Sequence, residues 1–182
     1  MNMNIENNLL SLVPLKSQFS RSTRIDQDTL GADSFIYSGS IDLFLNTLAS
    51  HQEGDVPQGA YTWTGPYGSG KSTLALSLLS ILKGPEENRK LAANSYDPVT
   101  AKRIWQAFPP HSEGWTAVTV IGQRISLMSA ISKELKAQKL MKSNAPETAE
   151  NIISCIDKVV KGSTDRGGLF LIIDEMCKLL EH

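Results

Sequence analysis

The stretch Gly65-Pro66-Tyr67-Gly68-Ser69-Gly70-Lys71-Ser72 fits the pattern G-x-x-x-x-G-K-[ST], and Thr73 follows it. Its flanks change periodicity. Before it, Ala60-Tyr61-Thr62-Trp63-Thr64 has the β-branched and aromatic composition of a strand. After it, Leu74, Leu78, Leu79 and Leu82 share one helical face, and Gly84-Pro85 stops that helix. The spacing predicts a tight strand-to-helix turn, which commits the chain to packing a helix against a sheet.

The rest of the chain repeats this alternation. Ile41, Phe44, Leu45 and Leu48 make a helical stripe with Ser40 as its cap. Asp97-Pro98 reads as an N-cap with proline at the first helical position, starting a helix that runs to about Phe108. Trp115 to Ile121 is short and β-branched, so it reads as a strand. Helices are expected from about Arg124 to Met141, and after Pro146 through Val160. Leu169-Phe170-Leu171-Ile172-Ile173 is a continuous apolar run, suited to a strand of a parallel sheet with both faces covered. The class is α/β. Residues 1–38 are polar and rich in Asn and Ser, and read as an arm or extension ahead of a core spanning 39–182.

Composition narrows the function classes. The 182 residues carry 18 basic and 19 acidic side chains, a formal charge of -1, which excludes binding of nucleic acid by bulk positive charge. Cys155 and Cys177 are too few for a disulfide framework, so reduced thiols and a cytoplasmic setting are expected. No apolar run approaches the length of a membrane-spanning helix, and Met1 to Asn8 lacks the pattern of a signal peptide.

The glycine-rich turn has a specific chemistry. Glycines let successive backbone N–H groups curl toward one anion, and the following helix adds the positive end of its dipole. Gly65, Pro66, Tyr67, Gly68, Ser69 and Gly70 would wrap phosphates, with Lys71, Ser72 and Thr73 at the helix start. Lys71 supplies a point charge for the β- and γ-phosphates, and the Ser72 hydroxyl is placed to ligate Mg²⁺. The apolar run near the C-terminus ends in Asp174-Glu175. Asp174 would emerge where open α/β sheets bind ligands and support the metal, while Glu175 would polarise the attacking water.

Together, Gly65 to Thr73 and Leu171 to Glu175 resemble the Walker A and Walker B elements of P-loop NTPases. The strand between them resembles the extra strand of the additional-strand, catalytic-glutamate division, which includes AAA+ and STAND-like ATPases. The spelling of the two motifs is also similar to that of large ATP-binding proteins of bacterial defence loci. The resemblance implies a three-layer α/β/α fold with a parallel sheet, ATP and Mg²⁺ as ligands, and catalytic roles for Lys71 and Glu175. It also implies two further core strands, a sensor residue and a helical lid after Walker B, yet only seven residues follow Glu175. One absent strand lies between the phosphate-loop strand and the Walker B strand in that family. The expectation is therefore an incomplete core whose sheet is split or rearranged, belonging to a truncated product or a piece of a longer protein.

Other features read as structural. Lys133, Lys136, Lys139 and Lys142 recur at three-residue spacing and are expected to be a solvated helix face; nucleic-acid contact is the rival reading. Arg124 is expected in a surface salt bridge, Cys177 as a core-packing thiol and Trp63 as core. The leading function is binding of ATP and its Mg-dependent hydrolysis, driving a conformational switch in a larger protein or assembly, with a protein partner or a second copy. Two rivals stand beside it: a P-loop small-molecule kinase, and a non-catalytic nucleotide-binding interaction module.

Overall fold

The computed structural model describes Ile25 and residues 37–54, 57–162 and 167–181. It is a mixed α/β structure. Among the described residues the helices are α1 (Gly39–Gln52), α2 (Lys71–Leu82), α3 (Glu86–Ala93), α4 (Pro98–Ala107), α5 (Leu127–Ala137), α6 (Ala149–Lys161) and α7 (Cys177–Leu180). The strands are β1 (Thr116–Ile121) and β2 (Leu169–Asp174), paired in parallel from Thr116 opposite Leu169 to Ile121 opposite Asp174.

Capping explains where several helices start. Asp97 Oδ2 accepts from the backbone N–H groups of Val99 and Thr100, both at 3.0 Å, so α4 begins at the proline as its sequence predicts. Ser126 and Thr148 cap α5 and α6 in the same way. The stripe in α1 is buried at Ile41, Leu45 and Leu48, where it meets Leu78, Ile81 and Leu82 of α2 and Ile104 of α4. Arg103 of α4 also grips α1, through Glu53, Asn46 and Ser50.

The sheet is covered on both faces. Val118, Val120, Leu169, Leu171 and Ile173 pack against Ala130, Ile131 and Leu135 of α5 and Ile152 and Cys155 of α6. On the opposite face, Ile121 and Ile172 meet Ala75 and Leu76 of α2, and the buried Ile25 joins them there. Phe170 packs into the α1–α4 cluster, within ring contact of Phe108 and Trp115.

Several sequence expectations are corrected. Ala60 to Thr64 pairs with no strand among the described residues. Its side chains still alternate, with Tyr61 and Trp63 half-buried and Thr62 and Thr64 exposed, and Trp63 sets its ring edge-on to Phe44 at 4.6 Å. What this segment lacks among the described residues is a hydrogen-bonded partner strand, without which strand periodicity makes no ladder. The α5 helix is shorter than expected and ends before Lys139, which takes a left-handed φ of 58°. Lys139 and Lys142 therefore do not extend a helical lysine face; Lys136 instead pairs with Glu147 at 3.0 Å. Ser38, not Ser40, is the N-cap residue of α1. Cys177 is exposed rather than core, because it lies on the outer side of the short α7 while Leu179 turns inward. Helix α3 was not anticipated, since its stretch Glu86–Ala93 carries no apolar stripe. The proposed arm, residues 1–38, lies outside the described residues except for Ile25, Tyr37 and Ser38. Among the described residues no helix is long and apolar enough to cross a membrane.

Candidate functional site

The glycine-rich turn runs from Gly65 to Gly70 as an exposed loop that feeds directly into α2. A Ser69 N–H to Pro66 carbonyl bond of 3.3 Å closes its tip. Gly70 is the N-cap residue of α2 and has a left-handed φ of 83°, a conformation that a side chain would penalise. Beyond it the Leu74 N–H finds the Gly70 carbonyl at 2.9 Å. The N–H groups of Lys71, Ser72 and Thr73 precede that first helical bond and have no acceptor within the helix. Helix α2 has no acidic residue of its own in its first turn to offset the partial positive charge of this end.

Lys71 folds over the loop. Its Nζ donates to the carbonyls of Gly65 at 3.0 Å and Pro66 at 2.9 Å, and to Ser69 Oγ at 3.3 Å. The ammonium thus sits above the glycine-rich turn rather than out in solvent. Tyr67 is at the exposed tip. Thr73 is half-buried in the first turn of α2.

The second motif reaches the same place from a distant part of the chain. Asp174 is the last residue of β2, and its Oδ2 accepts from Ser72 Oγ at 2.7 Å, across 102 residues of sequence. The packing of Ile172 against Ala75 and Leu76 fixes that approach, since it holds β2 against the first turns of α2. Asp174 Oδ1 accepts from the Glu175 N–H at 2.9 Å. Glu175 itself is exposed and has a left-handed φ of 53°, rare for a residue with a side chain. Its Oε2 lies 2.6 Å from Lys178 Nζ, and this hydrogen bond raises the pKa of Lys178 above the ordinary lysine range.

Two residues of this region escaped the sequence reading. Lys178 stands three residues after Glu175, a spacing that becomes a contact once α7 is recognised as a helical turn. Gly122 follows β1, and its N–H donates to the Asp174 carbonyl at 2.8 Å. A Cβ added there would collide with the Glu175 carbonyl oxygen, so only glycine lets the end of β1 lie this close to that carbonyl. An isolated glycine just past a strand is the available signal for such an approach.

Ser72 and Asp174 fit a partial site for a hard cation such as Mg²⁺. Ser72 and Asp174 offer two hard oxygen donors side by side. Mg²⁺ usually takes only one or two protein oxygens and completes its shell with phosphate and water. Among the described residues no group of three or more His, Cys, Asp or Glu side chains forms a self-sufficient metal cage. The arrangement can therefore offer an anion the backbone N–H groups and an ammonium, while the hydroxyl–carboxylate pair beside them offers its oxygens to a cation. Compared with protein families, with curated proteins and with solved structures, the chain finds no match.

Proposed function

We propose that this chain binds ATP with Mg²⁺ and hydrolyses it, driving a conformational switch in a larger protein or assembly. In this reading the helices on the two faces of the sheet are layers of a P-loop NTPase fold. The single observation that carries it is the 2.7 Å bond from Ser72 to Asp174. Two motifs recognised separately in the sequence meet at the start of one helix, and an arbitrary glycine-rich turn has no reason to meet an acidic strand end there.

The chain's own groups divide the work. The N–H groups of the loop and of the α2 N-terminus bind phosphate oxygens, and Lys71 leaves its loop carbonyls to pair with the β- and γ-phosphates. Ser72 and Asp174 would hold the ion, which would neutralise phosphate charge when bound. Glu175 orients and deprotonates the attacking water. Exposed Tyr67 is positioned to meet the nucleotide's edge or a partner chain.

Thermal unfolding with and without Mg²⁺–ATP tests the reading. A ligand at a hundredfold excess over its dissociation constant stabilises by about 2.7 kcal/mol. For a chain of this size that corresponds to a rise in Tm of about 5–10 °C. Wild type should show the rise and Lys71→Ala should lose it. Equal rises in both proteins would refute the site, and a rise without ATP turnover would favour a non-catalytic nucleotide-binding module.

A further inference from the structure

Glu175 is the unusual residue of this site. It combines a left-handed backbone with an ion pair to a neighbour that no motif requires. A residue with a Cβ held in this region costs on the order of 1–3 kcal/mol and persists only when its surroundings over-determine it. Here they do. The Gly122 N–H holds the Asp174 carbonyl at 2.8 Å, and the missing Cβ of Gly122 gives the Glu175 carbonyl the space it occupies in this conformation. Asp174 Oδ1 accepts from the Glu175 N–H, and the Lys178 N–H donates to the Glu175 carbonyl at 3.0 Å. The Lys178 ammonium then closes on Glu175 Oε2 at 2.6 Å.

We infer that Lys178 is a positioning residue that parks the Glu175 carboxylate on α7, and that turnover requires this tether to open. The inference rests on the reading of Glu175 as the base. In the parked arrangement the ammonium engages Oε2 and holds the carboxylate on α7, so the side chain cannot turn toward a water above the phosphate loop while the pair is closed. The backbone need not move for release: only the side chains of Glu175 and Lys178 separate, while the contacts to Gly122 and Asp174 keep the carboxylate's anchor in place. Both side chains are partly exposed, 42% and 49%, so water competes with the pair and the tether is a light one. A light tether suits a device that a bound nucleotide or a partner must be able to open.

The test uses the full chain and steady-state ATP turnover with Mg²⁺, comparing wild type, Lys178→Met, Lys178→Arg, Glu175→Gln and the double variant Lys178→Met with Glu175→Gln. Lys178→Met should raise kcat about two- to fivefold, the span open to an exposed ion pair. KM for Mg²⁺–ATP should stay within about twofold, because Lys178 touches Glu175 and not the phosphate loop. Lys178→Arg, which restores the cation, should return kcat to the wild-type value. Glu175→Gln should abolish turnover alone and in the double variant. If Lys178→Met leaves kcat unchanged or lowers it while Glu175→Gln still abolishes turnover, the tether is refuted and the base survives. Undiminished turnover in Glu175→Gln refutes the base itself. Background turnover in every protein also refutes the tether, and the Tm rise with Mg²⁺–ATP then reports separately on the nucleotide site.

Discussion

The two strands of the sheet run side by side in one ladder, yet they are buried in opposite proportion to their hydrophobicity. β1 reads Thr-Ala-Val-Thr-Val-Ile, with two hydroxyls, and four of its six residues are buried. β2 reads Leu-Phe-Leu-Ile-Ile-Asp, five large apolar residues in a row, and every one of the six is only half-buried. Both strands have helices on both faces, so the difference is lateral. Gln138 Nε2, just past α5, donates to the Ala117 carbonyl at 3.2 Å and covers the outer edge of β1. On β2 the peptide groups of Gly168 and Asp174 turn toward β1, where their carbonyls accept from Thr116 and Gly122. Those of Leu169, Leu171 and Ile173 therefore turn the other way, to an edge that no strand pairs among the described residues. Burial is set here by who stands beside a strand, and its own apolarity only says how much it would gain from a neighbour.

The contrast can be broken by charge. Val118 is 0% exposed, and Val118→Asp should cost about 4 kcal/mol or more, enough to erase a cooperative urea transition. Leu171→Asp should cost roughly half as much, because the new carboxylate can reach water past the open edge of β2. Equal costs would mean that something covers that edge in solution. A smaller effect sharpens the comparison at the far end of the same ladder. Gly122→Ala forces a Cβ into the Glu175 carbonyl and should cost about 2–3 kcal/mol by denaturant unfolding. It should also lower ATP turnover, since the strained peptide carries Glu175; a change in stability without one in turnover would separate the fold of this turn from its chemistry.

The smallest expected effect lies away from the sheet and serves as its control. Asp42 accepts from Thr100 Oγ1 at 2.6 Å and from Tyr37, and these bonds hold its carboxyl below the ordinary value of 3.8. A carboxyl whose pKa is lower folded than unfolded stabilises above the unfolded value and loses that contribution as pH falls through the folded one. Acid unfolding below about pH 4 should therefore be less steep in Asp42→Asn, which forgoes about 1 kcal/mol near neutrality. Nucleotide affinity and the Val118–Leu171 difference should not change, because Asp42 ties α1 to α4 and touches neither strand.

Local signals made much of this legible. The Asp97-Pro98 start of α4, the apolar face of α2 and both strands are written in residues a few positions apart, where capping and periodicity act. Most residues of the candidate site stand in two short motifs and could be read in the same way. Lys178 and Gly122 could not, because what makes them notable is contact with the Glu175 side chain and carbonyl, and neither belongs to a motif. The Ala60–Thr64 segment failed for a related reason. Its alternation of Tyr61 and Trp63 with threonines describes which face is apolar, and that is all a strand can say about itself.

By itself, then, the sequence determined the class of the fold, the ends of most helices and the two motifs, because these follow from backbone preference and spacing. Tertiary structure alone decided that Ser72 would meet Asp174, that Glu175 would be held left-handed between Gly122 and Lys178, and that one edge of β2 would pair with no strand among the described residues. Hydrogen bonds across 102 residues, and the presence or absence of a neighbouring strand, depend on how distant elements pack against one another. No local pattern encodes that.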